Sequence, residues 1–309
     1  MNAMTDGKSL KSQLPHPYNQ DLSSVLTHFD RRTPFSRQRL ANDPVTAAYI
    51  AAAMRLVGRH LGPGPERTPV DPRDENSLAR PLFSFISQRA VAEEVVNNPA
   101  PLPRQGNVST MRSRWASHSD FIADLISFAF WPGNRLEGFD DEVAAGAERL
   151  LEDPDVTQAV HDMAYLTVSD RGSTTFRLGR VAMSAADGDK TISDAIAESY
   201  EGLLVPWREV YAAFIEARGL RLRPGITIDD LANVLSALVD GLTLRTVGNP
   251  SAALIDHDRK RTLLGTAALA LIYSFLEPAE EASGLTLEQA VHEMIHAATP
   301  MNQSPESPA

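Results

Sequence analysis

The chain has no cysteine. That excludes disulfides, thiolate metal sites and cysteine nucleophiles. It fits a reducing compartment, so a cytoplasmic location is expected. Long apolar runs are missing too. The longest candidate, 262–276, falls short of the roughly 20 residues of a membrane span and contains Tyr273 and Ser274, so no membrane partner is expected. The N-terminal MNAMTDGKSLKSQLPH has no apolar stretch of a secretory signal. Strand-like alternation is absent and no internal repeat is visible, which leaves an all-α chain. G-x-x-x-x-G-K-[ST], G-x-G-x-x-G and G-x-S-x-G are all missing. No enzyme activity and no cofactor are expected.

One catalytic signature is present by spelling only. His292-Glu293-Met294-Ile295-His296 reads H-E-x-x-H, which in zinc proteases puts two imidazoles at i and i+4. The apolar stripe Leu287, Val291, Met294 and Ala298 leaves both histidines on the wet face. Downstream, only Glu306 offers a carboxylate. A catalytic zinc needs three protein ligands and a sheltered open position, so no metal is expected.

What the chain does have is uneven charge. Its net charge is −11. Residues 1–135 hold 16 Lys and Arg against 12 Asp and Glu, whereas residues 136–309 hold 13 against 28. A basic front and an acidic rear point to a binding module carried by a separate regulatory or assembly module. Residues 1–42 are polar and without clear period, ending in Arg31, Arg32, Arg37 and Arg39, and read as a flexible arm able to reach phosphates. Asp43-Pro44 opens a first helix. Residues near 62–80, rich in Pro, Gly and charge, read as an insertion. Ser87 caps a second helix, and a Pro-rich loop over 99–106 leads to a short basic helix at 107–115. Ser117 with Asp120 resembles a capping box opening the next helix, which breaks at Pro132-Gly133. Further helices are expected at 139–152, 154–168, 173–186, 190–218, 227–247, 257–276 and 286–298, with Pro206 kinking or splitting the fourth. Residues 299–309 read as a disordered tail.

The segment from Arg104 to Trp131 is the most informative. Arg104, Gln105, Asn107, Ser109, Thr110, Arg112, Ser113 and Arg114 crowd one short stretch. Phosphates take Arg, Ser and Thr donors, and base edges take Arg, Asn and Gln. Arg112 and Arg114 lie about 200° apart on a helix and cannot both face a groove. One is expected to read a base or phosphate while the other flanks the backbone. Trp115 is expected to pack the short helix on the next one, with its N–H available to a phosphate.

Thr110-Met111-Arg112-Ser113-Arg114-Trp115, Ser117-His118-Ser119-Asp120-Phe121-Ile122, the run 217–224 followed by 228–232, and the run 238–244 ending at Asn249-Pro250 together resemble the tetracycline-repressor (TetR) family. The resemblance covers roughly residues 43–276. It departs from the family's usual tyrosine at Arg112, lysine at His118 and Gly-Val-Ser turn at 104–107. The resemblance implies a helix-turn-helix DNA-binding domain at 43–131 and a helical effector-binding and dimerisation domain at 136–298. It implies a homodimer on palindromic double-stranded DNA, acting as a repressor that responds to a small-molecule effector. The residues expected at the DNA are Ser87, Arg104, Gln105, Asn107, Ser109, Thr110, Arg112, Ser113, Arg114, Trp115 and His118.

His161, Met163, Tyr165, Phe176, Met183, Trp207, Tyr211 and Phe214 are the candidate lining of an effector cavity, their aromatic and methionine content suiting a partly apolar molecule. Leu235, Leu238, Leu242, Leu264, Leu271 and Phe275 are the candidate dimer interface. An alternative reading keeps the helical dimer as a small-molecule-binding or scaffold protein without DNA binding.

Overall fold

The computed structural model describes residues 11–30, 33–61, 83–134, 139–170 and 174–298. The expected insertion near 62–80 and the tail at 299–309 lie outside the described residues, as do Arg31 and Arg32. The chain divides into two units, Met1–Asp140 with Asp170–Leu203, and Asp141–Ser169 with Leu204–Ala309. This differs from the expected boundaries near 131 and 136. Residues 170–203 join the first unit because Leu178, Ala182 and Ile192 are buried in its core.

The first unit is built around α2 (Pro44–Leu61), which follows the short polar α1 (Pro34–Ala41). Asp43 accepts the Val45 N–H at 2.7 Å and caps α2. Every residue of α2 from Thr46 to Ala53 is buried. A helix buried all round must have neighbours on every side, and its run of alanines lets them come close. Those neighbours are α3 (Gln88–Glu94), α5 (His118–Phe130) and α8 (Thr174–Ala185). Glu94 fixes α3 to α2 by accepting from Arg55 Nε at 3.1 Å and Arg59 at 3.2 Å. Between α3 and α5 lies α4 (Val108–Arg112), a single five-residue turn.

Residues 11–42 are not a flexible arm over their described part. Leu22, Val25, Leu26 and Phe29 are buried in the first unit's core, and Tyr18 stacks on Phe128 with ring centroids 5.4 Å apart. The tie that holds this polar segment is distant in sequence. Asp124 of α5 is fully buried, and its Oδ1 accepts the backbone N–H groups of Thr27 at 2.8 Å and His28 at 3.0 Å. A buried carboxylate needs such donors.

The second unit contains α6 (Phe139–Glu152), α7 (Val156–Asp170), α10 (Ile228–Gly248), α11 (Leu263–Phe275) and α12 (Leu287–Ala298). The 28-residue α9 (Lys190–Ala217) runs through the boundary at Leu203. Pro206 lies inside α9 and does not split it, because a proline removes one N–H while the flanking turns keep theirs. Arg218 closes α6 by donating to the carbonyls of Leu150 at 2.8 Å and Asp153 at 2.7 Å. Thr227 and Asp230 form a capping box at the start of α10.

The all-α expectation needs one amendment, since the helices are joined by two short antiparallel ribbons. β1 (Leu220–Leu222) pairs with β4 (Leu276–Pro278), and β2 (Ile255–Asp256) with β3 (Arg261–Thr262). The second ribbon replaces the first turns of the helix expected at 257–276. Asp256 accepts the Arg259 N–H at 2.9 Å and closes the turn, and Thr262 then caps α11. On the first ribbon, Glu277 is held by Ser283 at 2.7 Å, Arg221 at 2.7 Å and Arg223 at 3.1 Å. The Ser283 hydroxyl first, and then Arg221, hold its carboxyl down to about 2, from an ordinary 4.5. A depressed carboxylate stabilises the fold above its unfolded value and loses that contribution as pH falls through the folded one. Glu277→Gln is therefore expected to melt below the wild type at pH 7, with the gap closing as the pH drops from about 4.5 towards about 2. Melting curves across that range check this, and a gap independent of pH would sink it.

Candidate nucleic-acid interface

α4 is too short to be stable alone, because one helical turn does not repay its nucleation. It stands because its underside is welded to the first unit's core. Met111 and Trp115 are fully buried. Trp115 meets Phe121 edge-on at 5.0 Å and Tyr49 edge-on at 6.4 Å, and lies tilted on Phe29 at 5.4 Å. Its Nε1 donates to Asp124 Oδ2 at 2.7 Å. The tryptophan packs α4 onto α5 as expected, but its N–H is spent inside and does not reach a phosphate.

Arg114 departs from expectation in the same way. It is buried, with Nε donating to Thr46 Oγ1 at 3.1 Å and a terminal nitrogen to the Thr110 carbonyl at 3.2 Å. Its other terminal nitrogen lies 3.5 Å from Asp43. The periodicity puts Arg112 and Arg114 on opposite faces, and Arg114 reaches Thr46 of α2 and Asp43 just before it, so it is the arginine that faces in.

Arg112 is the one that faces out. It is exposed, and its Nε donates to Gln88 Oε1 of α3 at 2.9 Å. Its terminal nitrogens make no other hydrogen bond among the described residues. Ser109 on the same short helix and Ser113 just past its end are exposed, Thr110 is half-buried, and Ser113 Oγ donates to the Thr110 carbonyl at 2.8 Å. Asn107 caps α4 by accepting the Thr110 N–H at 2.8 Å, and Ser87 caps α3 by accepting the Ala90 N–H at 3.3 Å. Gln105 and Arg104 are exposed, with Arg104 Nε donating to the Asn98 carbonyl at 2.7 Å.

The loop between α3 and α4 is long, yet it is pinned at both ends to α2. Asn98 is buried and donates to the carbonyls of Ala48 at 3.2 Å and Pro103 at 2.6 Å. Tyr49 Oη donates to the Asn107 carbonyl at 2.9 Å and accepts its N–H at 3.0 Å. Gly106 lies where a Cβ would come 3.0 Å from that hydroxyl, so a side chain here would have to push Tyr49 or Val95 aside.

His118, the first residue of α5, is half-buried beside Phe121 with its Nδ1 unpartnered. Burial lowers its pKa, so it is a neutral packed ring rather than a cation for phosphate. The side chains of this region thus sort by face. Arg112, Ser109, Ser113, Gln105 and Arg104 form an exposed polar patch with Asn107, while Arg114, Trp115, Met111 and Asn98 are internal.

No family model, curated protein or solved structure matches this chain.

The expected effector lining is scattered. In the second unit Met163 and Phe214 are buried, and Trp207 packs against them in one apolar cluster. Trp207 and Tyr211 stack at 5.8 Å, and Tyr165 Oη meets His257 Nδ1 at 3.0 Å. His161 is buried with Nδ1 unpartnered and packs where Gly265 leaves room. Burial lowers its pKa. Met183 belongs to the first unit and receives the Tyr200 hydroxyl at 3.5 Å. Phe176 is on α8 in that unit, and its side chain lies outside the described residues.

Of the expected dimer residues only Leu264 is buried within the chain, and the other five are half-buried. Leu264 is buried with Val239 and Ala164, Leu238 and Leu242 pack against them, and Leu235, Leu271 and Phe275 are half-buried. The exposed apolar stripes run alongside, through Val234, Ala237, Gly241 and Leu244 on α10 and Leu263, Thr266, Ala270 and Tyr273 on α11.

Two substitutions separate the inner arginine from the outer one. Arg114→Ala leaves the buried Thr46 hydroxyl without its partner and is expected to cost about 1–3 kcal/mol of stability. Arg112→Ala is expected to stay within about 0.5 kcal/mol. Denaturant unfolding of both variants checks this, and equal losses would overturn the assignment of faces.

Proposed function

We propose that the chain is a DNA-binding transcriptional regulator that reads double-stranded DNA through the outer face of α4. The carrying observation is that this one-turn helix is fastened by Met111 and Trp115 below while Ser109, Arg112 and Ser113, with Gln105 and Arg104 beside them, stay exposed. An exposed cluster of Arg, Ser, Gln and Asn on a rigid short helix matches the donors that phosphates and base edges take. Gln88 holds the Arg112 guanidinium at Nε, which reduces the side-chain entropy lost on binding. The excess of Lys and Arg in residues 1–135 agrees with the polarity of that face.

The regulator acts as a homodimer through the exposed apolar stripes of α10 and α11, on a palindrome whose half-sites lie about one helical turn of DNA, roughly 34–36 Å, apart. A small-molecule effector taken up by the second unit acts as the signal. The inward turn of Arg114 favours a second reading, a helical dimer that binds a small molecule or scaffold partner and no DNA, since it leaves the outer face of α4 with one arginine.

Fluorescence polarisation on the palindromic duplex nearest the protein's own gene, at two salt concentrations, decides between them. Tight binding that weakens with salt is expected. Arg112→Ala is expected to weaken binding and to make the salt dependence shallower by about one unit of slope, the share of a single neutralised phosphate. Absence of binding at low salt would sink the regulator and leave the second reading.

A further inference from the structure

Three separate ties join residues 27–30 to the end of α4, and one of them runs through a single carboxylate. Asp124 Oδ1 accepts from Thr27 N, His28 N and His28 Nδ1 at 2.8, 3.0 and 2.9 Å, while its Oδ2 accepts from Trp115 Nε1 at 2.7 Å. The Asp30 N–H donates to the Arg114 carbonyl at 3.0 Å. The Phe29 ring lies on Trp115. Trp115 anchors the underside of α4 together with Met111, and Arg114 ties the residues just past its end to Thr46, so a movement of residues 27–30 is passed on to the reading helix.

We propose that Asp124 is the positioning residue of DNA reading, and that residues 27–30 form a latch which, through it, sets where α4 sits. The proposal rests on the DNA-binding reading of α4. Asp124 is fully buried and touches no outer-face residue, so it acts only through Trp115 and the latch.

His28 makes the latch respond to pH. Its side chain is about a quarter exposed at 23%, and among the described residues the charged groups acting on it are acidic, Asp124 and Asp120 on α5 and Glu198 on α9. The hydrogen bond to Asp124, then the charges of Asp124, Asp120 and Glu198, raise its pKa above the ordinary 6.5 against the opposing effect of burial. A raised imidazole pKa gives stability that is complete below the unfolded value and is lost as pH rises through the folded one. The latch is tightest on the acid side. His118 and His161, whose pKa values are lowered by burial, act with the opposite sign. A difference between wild type and a His28 variant removes their contribution.

The full-length protein, Asp124→Asn and His28→Gln are compared by DNA polarisation at pH 6 and pH 8 and by amide hydrogen exchange over residues 108–115. Asn puts an N–H where Trp115 Nε1 needs an acceptor, and the milder His28→Gln covers the case in which Asp124→Asn does not fold. Expected for His28→Gln is a DNA affinity about fivefold weaker at pH 6, the low end of coupling between linked sites, with little change at pH 8 and faster exchange at 108–115. Exchange separates the latch from simple loss of a positive charge, which would weaken DNA binding without loosening the helix. Wild-type affinity and wild-type exchange in both variants would overturn the proposal, as would weaker affinity with unchanged exchange. If the wild type binds no DNA, the regulator reading falls by itself. Faster exchange at 108–115 in the variants then upholds the latch, and unchanged exchange overturns it.

Discussion

A carboxylate removed from water must be met by donors on all sides, or it is neutralised or the fold fails. Asp124 is met by four, and they come from three places: the backbone of Thr27 and His28, the His28 ring and the Trp115 indole. The demand of one buried charge thus brings the N-terminal segment, the end of α4 and the middle of α5 to one point. At that point the rings of Phe29, Tyr49 and Phe121 pack around Trp115. Replacing the carboxylate removes a partner from each element at once, so its effects are not additive with those of its neighbours.

The same economy shapes α4. With five residues it has no room for both an anchoring face and a spare one. Met111 is taken by the core, and Arg114 just beyond the helix is taken by Thr46 and the Thr110 carbonyl. The outer residues are what remains, and they are held by the Asn107 cap and by the Gln88 contact to Arg112. Rigidity here comes from neighbours rather than from helical propensity, in line with the cost of nucleating a single turn.

Features written in a few adjacent residues are legible in the sequence alone. The Asp43-Pro44 start, the Ser87 cap, the Ser117 and Asp120 capping box and most helix spans are local chemistry. The helical character follows from them. What could not be read depends on partners far along the chain. Residues 11–30 look like a solvated arm because their few apolar residues carry no period, and their anchor lies 97 residues away from Thr27. Arg114 looks like a free cation because Thr46 lies 68 residues before it. The ribbon at 255–262 leaves no sequence signal because two-residue strands carry no alternation. On α10 and α11 the apolar positions are plain as a set, but a helix apolar around much of its circumference does not say which side its own chain covers.

The first unit is assembled from two stretches of chain, Met1–Asp140 and Asp170–Leu203, with the start of the second unit threaded between them. Leu178, Ala182 and Ile192 from the later stretch are part of its core. No single cut in the polypeptide separates the two units, and the later boundary falls within the continuous helix α9 rather than in a linker. A fragment ending near residue 134 would carry the whole polar patch and still lack part of the core beneath it. The patch and its support are inherited together or not at all, so this face cannot be moved to another protein as one contiguous segment.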